Sequence, residues 1–473
     1  VTEGLFSRVL SKVGAFAHDL VRKLLPDPFV LVLLLTLVAL VLALGTMDAV
    51  PGDAGATLLG KSSALIKVWT EGFGNAEILK FAMQITLIVV TGEAIAASPP
   101  AKKILARIVS LPKTATQALL VVATYAVITG WIHWGFGLVS SALLAREVGR
   151  SLASRNVAIH YPLLGTAAYT SMLLWHAGLT ASAPLLMNTE KNFVSDVLGI
   201  HGAAAKVPLT QTIFAPYNLI VCAVLVVVVP LLIAAMQPTD SSEIVLPNLE
   251  SMPKVADEVA LPKTLSLTLA ERLDSARALP LVTGIIGLTF LFRYVREHGF
   301  DLNHNVVNCT FLMLGLMLHP SATSYARAIA QSVRGVSGIL LQFPFYGGIL
   351  AVLSFSGLSE KIAHVFVSIA NLHTLPFFTF VASIFTKGFV PSGAGEWAVE
   401  GPVMLKAGQA LGVPFGKITM GVAYGNMLGN MIQPFWSLPL LGLMGLRARD
   451  IMGYGLVIFV VCFPILGAAL LFS

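Results

Sequence analysis

Two acids and a lysine stand inside an apolar stretch of this chain. Glu396 and Glu400 are one helical turn apart, so on a helix they share a face. Lys387 precedes them across a Gly- and Pro-rich knot, Gly388-Phe-Val-Pro-Ser-Gly-Ala-Gly-Glu396. Ionisable side chains inside a membrane are costly enough to count as functional by default. A carboxylate pair there would bind a coupling cation or carry a proton. Lys387 either pairs with Glu396, meets an anionic substrate, or closes a structural ion pair that holds the two arms together. The turn Pro391-Ser-Gly-Ala-Gly-Glu-Trp397 suits anion binding. Pro391 lacks a donor, and Gly393 and Gly395 permit positive φ and close ligand approach. A helix starting near Glu396 would aim free N–H groups at the turn, beside Ser392 and Trp397, and those groups suit a carboxylate.

A second knot, Gly130-Trp-Ile-His-Trp-Gly-Phe-Gly137, is aromatic and neutral. Trp131 and Trp134 offer a wall for a small apolar tail, and His133 either senses protons or is a hydrogen-bonded structural residue. Downstream of this knot, His176, with Trp175, Gly178, Thr180 and Ser182, marks a break in a helical pattern. A similar break follows the first knot described, at Asn426, Gly429, Asn430, Gln433 and Pro434. Side-chain amides and unwound backbone carbonyls are natural Na⁺ ligands, which makes the surroundings of Ser392, Asn426 and Asn430 a candidate Na⁺ site. The alternative is that Asn430 and Gln433 only bind helices together. The three cysteines, Cys222, Cys309 and Cys462, lie far apart in apolar stretches and are read as packing residues. No metalloprotease spacing occurs, so no enzyme activity is expected, and no cofactor beyond a coupling H⁺ or Na⁺.

The elements that must position these groups are membrane helices. Of 473 residues, 56% are hydrophobic and 11% charged. Soluble domains carry about 25% charged residues, so this excess of apolar surface needs lipid. Spans are expected at 28–45, 78–98, 160–186, 213–236, 278–293, 305–319, 336–357, 415–440 and 451–473. Regions 115–145 and 375–411 are long, apolar and broken by the two knots. Lys102, Lys103, Arg107 and Lys113 precede the first, and Arg146, Arg150 and Arg155 follow it. Basic residues favour the cytoplasmic side, so both ends lie inside and the segment is a re-entrant hairpin. The second hairpin opens outward. Residues 1–27 read as an amphipathic interfacial helix, with no cleavable signal peptide. Residues 28–236 form a first repeat, 237–277 a polar cytoplasmic linker, and 278–473 a linking span with a second, inverted repeat.

A shift of 255 residues aligns Ala168-Tyr-Thr-Ser-Met-Leu173 with Ala423-Tyr-Gly-Asn-Met-Leu428, and Ser182-Ala-Pro-Leu-Leu186 with Ser437-Leu-Pro-Leu-Leu441. Eight of the 19 positions from 168 to 186 are identical to their counterparts. Inverted repeats with broken midplane helices are a hallmark of secondary transporters. The expected fold class is therefore an all-α polytopic membrane protein of two inverted repeats, each with a re-entrant hairpin and a discontinuous helix.

Several runs resemble the bacterial short-chain fatty-acid transporter family: Leu25-Pro-Asp-Pro-Phe29, Trp134-Gly-Phe-Gly-Leu138, His160-Tyr-Pro-Leu-Leu164, Gln342-Phe-Pro-Phe-Tyr346, Val390-Pro-Ser-Gly393 and Asn430-Met-Ile-Gln-Pro-Phe-Trp436. The resemblance covers nearly the whole chain. It implies an ion-transporter-superfamily fold, an elevator-type mechanism and a scaffold that dimerises. The chain departs from the family pattern at His133, Ala394, Glu396, Glu400 and Asn426. An acid usual in the broken helix is here Asn426, and acids stand instead in the hairpin.

These readings converge on symport of a small monocarboxylate with H⁺ or Na⁺ in the bacterial inner membrane, with a cytoplasmic N-terminus, lipid and a second copy as partners, and no nucleic acid. Substrate contacts fall to Trp131, His133, Trp134, Ser182, Ser392, Gly393, Gly395, Trp397, Asn430 and Gln433. The coupling ion falls to Glu396, Glu400, Asn426 and His176. The alternatives are a same-fold transporter of a dicarboxylate or other small ion, a passive channel, or an intramembrane hydrolase built on Ser392 with His133 or His176.

Overall fold

Prolines and short polar side chains divide the apolar sequence into helices. A computed structural model describes residues 12–472, except 15, 18–22, 24–25, 48–56, 189–191, 193, 195–197, 239, 248–267, 299–303, 359–360, 362–364, 366–367 and 392. Ser392, most of the expected interfacial helix and the larger part of the linker thus lie outside the described residues.

The first half runs α1 (Pro28–Thr46), α2 (Leu58–Gly72), α3 (Ala76–Ala97), α4 (Pro99–Val109), α5 (Ala115–Ile132), α6 (Trp134–Ser154), α7 (Tyr161–Tyr169), α8 (Ser182–Met187) and α9 (Pro216–Ala235). After α10 (Leu269–Ser275) come α11 (Ala278–His298), α12 (His304–Leu318), α13 (Ala322–Ser332), α14 (Ser337–Ser356), α15 (Leu375–Lys387), α16 (Gly393–Leu411), α17 (Phe415–Gly429), α18 (Leu438–Met444) and α19 (Ala448–Leu471). No strand occurs among the described residues.

Starts are specified locally. The Asp27 carboxylate accepts the Phe29 N–H at 2.9 Å, and Pro28 takes the first helical position, where its missing donor costs nothing. Thr114 caps α5 through the Gln117 N–H at 3.2 Å. Pro162, Pro216, Pro376 and Pro439 occupy first-turn positions of α7, α9, α15 and α18.

Helices α1, α5, α9, α11 and α19 are long and apolar enough to cross a membrane. Large apolar side chains point away from the protein on α1 (Leu37, Val41), α9 (Ile220, Val227) and α11 (Ile286, Phe290). At about 25 cal/mol per Å², leaving such faces in water would be prohibitive. Lipid is the solvent this surface fits, and the chain is a multi-pass membrane protein.

The expected 160–186 span is two short helices, α7 and α8, with 3₁₀ turns at Thr170–Met172 and Trp175–Ala177 between them. The expected 415–440 span is likewise α17 and α18, with a 3₁₀ turn at Phe435–Ser437. The second arm at the first knot continues to Ser154, beyond the expected 145. Among the described residues four helices were not anticipated. Pro99–Val109 and Ala322–Ser332 are amphipathic, Leu58–Gly72 carries Lys61, Lys67 and Glu71, and Leu269–Ser275 is a short polar helix in the expected linker, so none stands out as an apolar run.

Element order repeats at the same offset as the sequence. The last residues of α5 and α15, Ile132 and Lys387, are 255 positions apart, and the short helices that follow the two breaks begin at Ser182 and Leu438, 256 apart. Packing is reciprocal too: α2 lies on α14, and α12 lies on α3. The main core gathers around α5 to α9 and α17 to α19; a smaller one joins α8, α15, α16 and α17 around Trp397 and Met404.

Candidate functional site

The two knots and the two breaks converge on one buried region. At the first knot a single residue, His133, separates α5 from α6, and its Nδ1 accepts the Phe136 N–H at 3.1 Å as a cap. Its ring also lies 5.8 Å from that of Phe311. The knot is pinned to the first break through backbone. Leu179 N–H donates to the Trp131 carbonyl at 2.8 Å, and Trp134 N–H donates to the Thr180 hydroxyl at 3.2 Å. Trp134 then bridges the halves, with its ring 6.2 Å from Trp175 and 5.2 Å from Trp436.

The second knot carries the charge. Asn426 Nδ2 donates to Glu396 Oε2 at 2.6 Å, and Ser383 donates to the other carboxylate oxygen. That fixes the amide so that Asn426 Oδ1 faces His176 Nδ1 at 3.3 Å and the Lys387 ammonium at 3.4 Å. His176 Nε2 accepts the Ala183 N–H at 3.1 Å, so Nδ1 holds the proton and donates it to Asn426. Lys387 also donates to the Pro391 carbonyl, which accepts a second bond from Trp436 Nε1 at 2.7 Å. Lys387, Glu396, Asn426 and His176 are all 0% exposed, which leaves their bonding to one another, to Ser383 and to backbone. Glu400 is buried one turn further along α16; the Thr386 side chain lies beside it without closing a well-formed hydrogen bond.

Close approach is built in by glycine spacing. On α17, Gly421, Gly425 and Gly429 recur every four residues and face α15. A Cβ at Gly421 would meet the Pro376 carbonyl at 2.7 Å, one at Gly425 the Phe380 carbonyl at 2.4 Å, and one at Gly429 the Lys387 stem at 2.7 Å. Such small-residue ridges let membrane helices pack backbone to backbone.

Not every expected site residue meets here. Gly393 does: a Cβ on it would lie 2.7 Å from both His176 and Trp175. Neither Gly393 nor Gly395 has a positive φ, because α16 begins at Gly393, three residues earlier than expected, and both are helical. Asn430 donates to the Met172 carbonyl at 3.1 Å, while its Oδ1 is buried without a partner. Gln433 turns toward Tyr346 and the Phe435 N–H, at 3.3 and 3.1 Å. Trp397 is fully buried in the smaller core, and Ser182 is half-buried at the start of α8. Two groups escaped the sequence reading: Ser383, hidden by its apolar neighbours, and Asn218 of α9. Asn218 donates to the Ala177 and Ile213 carbonyls at 3.0 and 2.7 Å and accepts from Tyr424 at 2.9 Å, tying the first break and helix α17 to α9. The four-residue glycine spacing was a signal that could have located Ser383.

Among the described residues, no group of three or more His, Cys, Asp or Glu side chains could hold a metal ion. The Pro391 carbonyl and Asn426 Oδ1 are taken by Lys387, and Asn430 Oδ1 is a single buried oxygen.

A family model described as short chain fatty acid transporter matches residues 9–473. A provisionally named short-chain fatty acid transporter of Escherichia coli strain K12 is 38% identical over 446 residues, covering 94% of this chain and 96% of that protein. A relative of the same description from Haemophilus influenzae is 38% identical over 461 residues, covering 97% and 98%. Among solved structures, the Alcanivorax borkumensis YdaH transporter aligns at TM-score 0.44 and 14% identity, over 94% of this chain and 98% of its own. Neisseria gonorrhoeae MtrF aligns at 0.40 and 14%, over 96% and 97%. The full-length family match and the two curated relatives, taken with the membrane helices, give the chain its affiliation: it belongs to the short-chain fatty acid transporter family.

Proposed function

We propose that this chain is a secondary active transporter that carries a small monocarboxylate, a short-chain fatty acid, across the bacterial inner membrane together with H⁺ or Na⁺. The observation that carries this reading is the meeting of both knots and both helix breaks around Lys387, Glu396, Asn426 and His176. Irregular backbone at membrane depth persists only where protein or a cavity satisfies it, and transporters use such places for substrate and coupling ions.

In this reading α5 with α6, and α15 with α16, are re-entrant hairpins opening to opposite sides, in two inverted repeats of 28–236 and 278–473 joined by the 237–277 linker. The reciprocal packing of α2 on α14 and α12 on α3 supports a pseudo-twofold relation. The hairpins and interrupted helices form the moving unit of an elevator. The outer helices form a scaffold that dimerises, and the N-terminus is cytoplasmic. The carboxylate sits at the α16 N-terminus near Ser392, Gly393 and Gly395, with the tail against Trp131, His133, Trp134 and Trp175, and with Ser182, Trp397, Asn430 and Gln433 completing the surroundings. Glu396 and Glu400 serve the coupling ion. His176 and Asn426 position Glu396; with Nε2 taken up by a backbone donor, His176 is an organiser and not a proton carrier.

The alternative of a dicarboxylate substrate wants a second free cation, and Lys387 is bonded to Pro391 and Asn426. The test is radiolabelled butyrate uptake into proteoliposomes under separate Na⁺ and pH gradients, with acetate, lactate and succinate as competitors. Accumulation driven by one gradient and competed by monocarboxylates is expected. Competition by succinate alone, or no uptake by folded protein, would overturn the assignment.

A further inference from the structure

We propose that Lys387 is a tethered cation: its ammonium fills a place built from oxygen ligands that would otherwise take Na⁺, so the ion this chain couples to is H⁺. The inference rests on the symport reading above and narrows it.

The ligand set comes first. Lys387 donates to the Pro391 carbonyl, in the non-helical turn between α15 and α16, and to Asn426 Oδ1 near the break of the second interrupted helix. A turn carbonyl and a side-chain amide oxygen beside an interrupted helix are the ligands with which transporters hold Na⁺. The Asn426 amide is oriented for a cation, because its Nδ2 is committed to Glu396 at 2.6 Å. His176 donates to the same Oδ1 from the other side, which holds that oxygen in place without supplying positive charge of its own. Glu396 supplies the neighbouring negative charge.

The place is also shaped for this side chain. Lys387 is 0% exposed, and its stem crosses α17 where Gly429 leaves room; a Cβ there would lie 2.7 Å from the Lys387 Cγ. A lysine retained only for surface charge would extend its head to water. This one turns inward, and full burial of an ammonium is tolerated only with oxygen partners around it.

The consequence for coupling follows from charge. A tethered cation cannot dissociate, so it stabilises the second knot in every state and does not itself couple. Lys387 offsets one of the two buried acids. Glu400, buried one turn from Glu396 with the Thr386 side chain beside it, is the acid whose charge Lys387 does not offset, and it shares the transported proton with Glu396.

The experiment compares the intact protein with Lys387→Ala in proteoliposomes and in detergent. For the unaltered protein, pH-driven butyrate uptake should be the same within about twofold when choline replaces Na⁺. In Lys387→Ala the vacated oxygens should accept Na⁺, raising the melting temperature by at least about 3 °C in sodium over choline. The unaltered protein should show no such difference. Uptake by the variant should fall by about tenfold in choline and recover at least in part in sodium. Sodium stimulation of the unaltered protein beyond about threefold would overturn the proposal. So would a folded Lys387→Ala variant without Na⁺-specific stabilisation. Should the alanine variant fail to fold, Lys387→Ser takes its place, and the sodium comparison on the unaltered protein stands without either. The melting measurement needs no substrate. Failure of butyrate uptake under every gradient would therefore strike the function proposed above and leave the cation site separately readable.

Discussion

The two knots are built to one plan and differ in their chemistry. Each joins two helices at a short turn and leans on the break of an interrupted helix. The first holds its break with backbone bonds, through the Trp131 carbonyl and Trp134 N–H, and no charged residue lies between Ala115 and Ala145. The second also meets its break through backbone, the Pro391 carbonyl accepting from Trp436, and adds side chains, Lys387, Ser383 and Glu396, that gather with Asn426 at the end of α17. Two knots of similar build thus differ in charge, which is concentrated in the second. Damage to the second should strike ion coupling, and damage to the first should strike substrate fit.

The largest expected effect tests that division directly. Glu396→Gln keeps the shape of the network and removes its charge, so gradient-driven accumulation should fall by about 10² or more, while butyrate exchange at zero gradient survives better. Undiminished accumulation in this variant would remove Glu396 from coupling. Next is the ridge of α17. Gly425→Val puts side-chain carbons into the Phe380 carbonyl and Ser383 of α15, and overpacking of this kind costs about 1–3 kcal/mol or more. Loss of monodisperse protein or a clearly lower melting temperature is expected; a variant as stable as the parent would show that α15 and α17 are not locked.

A smaller, more selective change is expected at the first knot. Trp134→Ala removes one ring of the Trp134–Trp175–Trp436 group, so the preference between acetate and hexanoate should shift by about 10-fold while proton coupling is retained. An equal loss for both acids would argue that Trp134 only packs. The mildest is His133→Asn, because Asn is itself a good cap: stability should change by less than about 0.5 kcal/mol, whereas His133→Ala should cost about 1 kcal/mol. A large loss of uptake with unchanged stability in His133→Asn would give the imidazole a role beyond capping.

Much of this contrast was legible in the sequence, for a physical reason. Apolar length gives spans, and clustered Gly with ionisable residues marks where a span must break, so both knots and both breaks could be placed by residue. The 255-residue offset also reappears in the element order. What stayed hidden depends on partners remote in sequence. Nothing near Lys387 announces that Asn426 receives it, nor that Gly429 makes room for its stem. Ser383 reads as one more helical residue until α17 lies against it. Gly393 and Gly395 suggested positive φ, but glycine serves close approach as well as unusual torsions, and Gly393 is there for the first. Amphipathic helices such as α4 and α13 escaped because a membrane reading looks for apolar runs.

The Pro391 carbonyl accepts from Lys387 and from Trp436 at once, one donor on the arm of the knot and the other after the break. A carbonyl oxygen has two lone pairs, and here both are used. The turn cannot slide along either neighbour by exchanging one bond for another, since no acceptor capacity is spare. Releasing the turn therefore requires both bonds to one oxygen to be given up. Amide hydrogens from Gly393 to Trp397 should accordingly exchange together, as one slow class, and Trp436→Phe should speed that whole class.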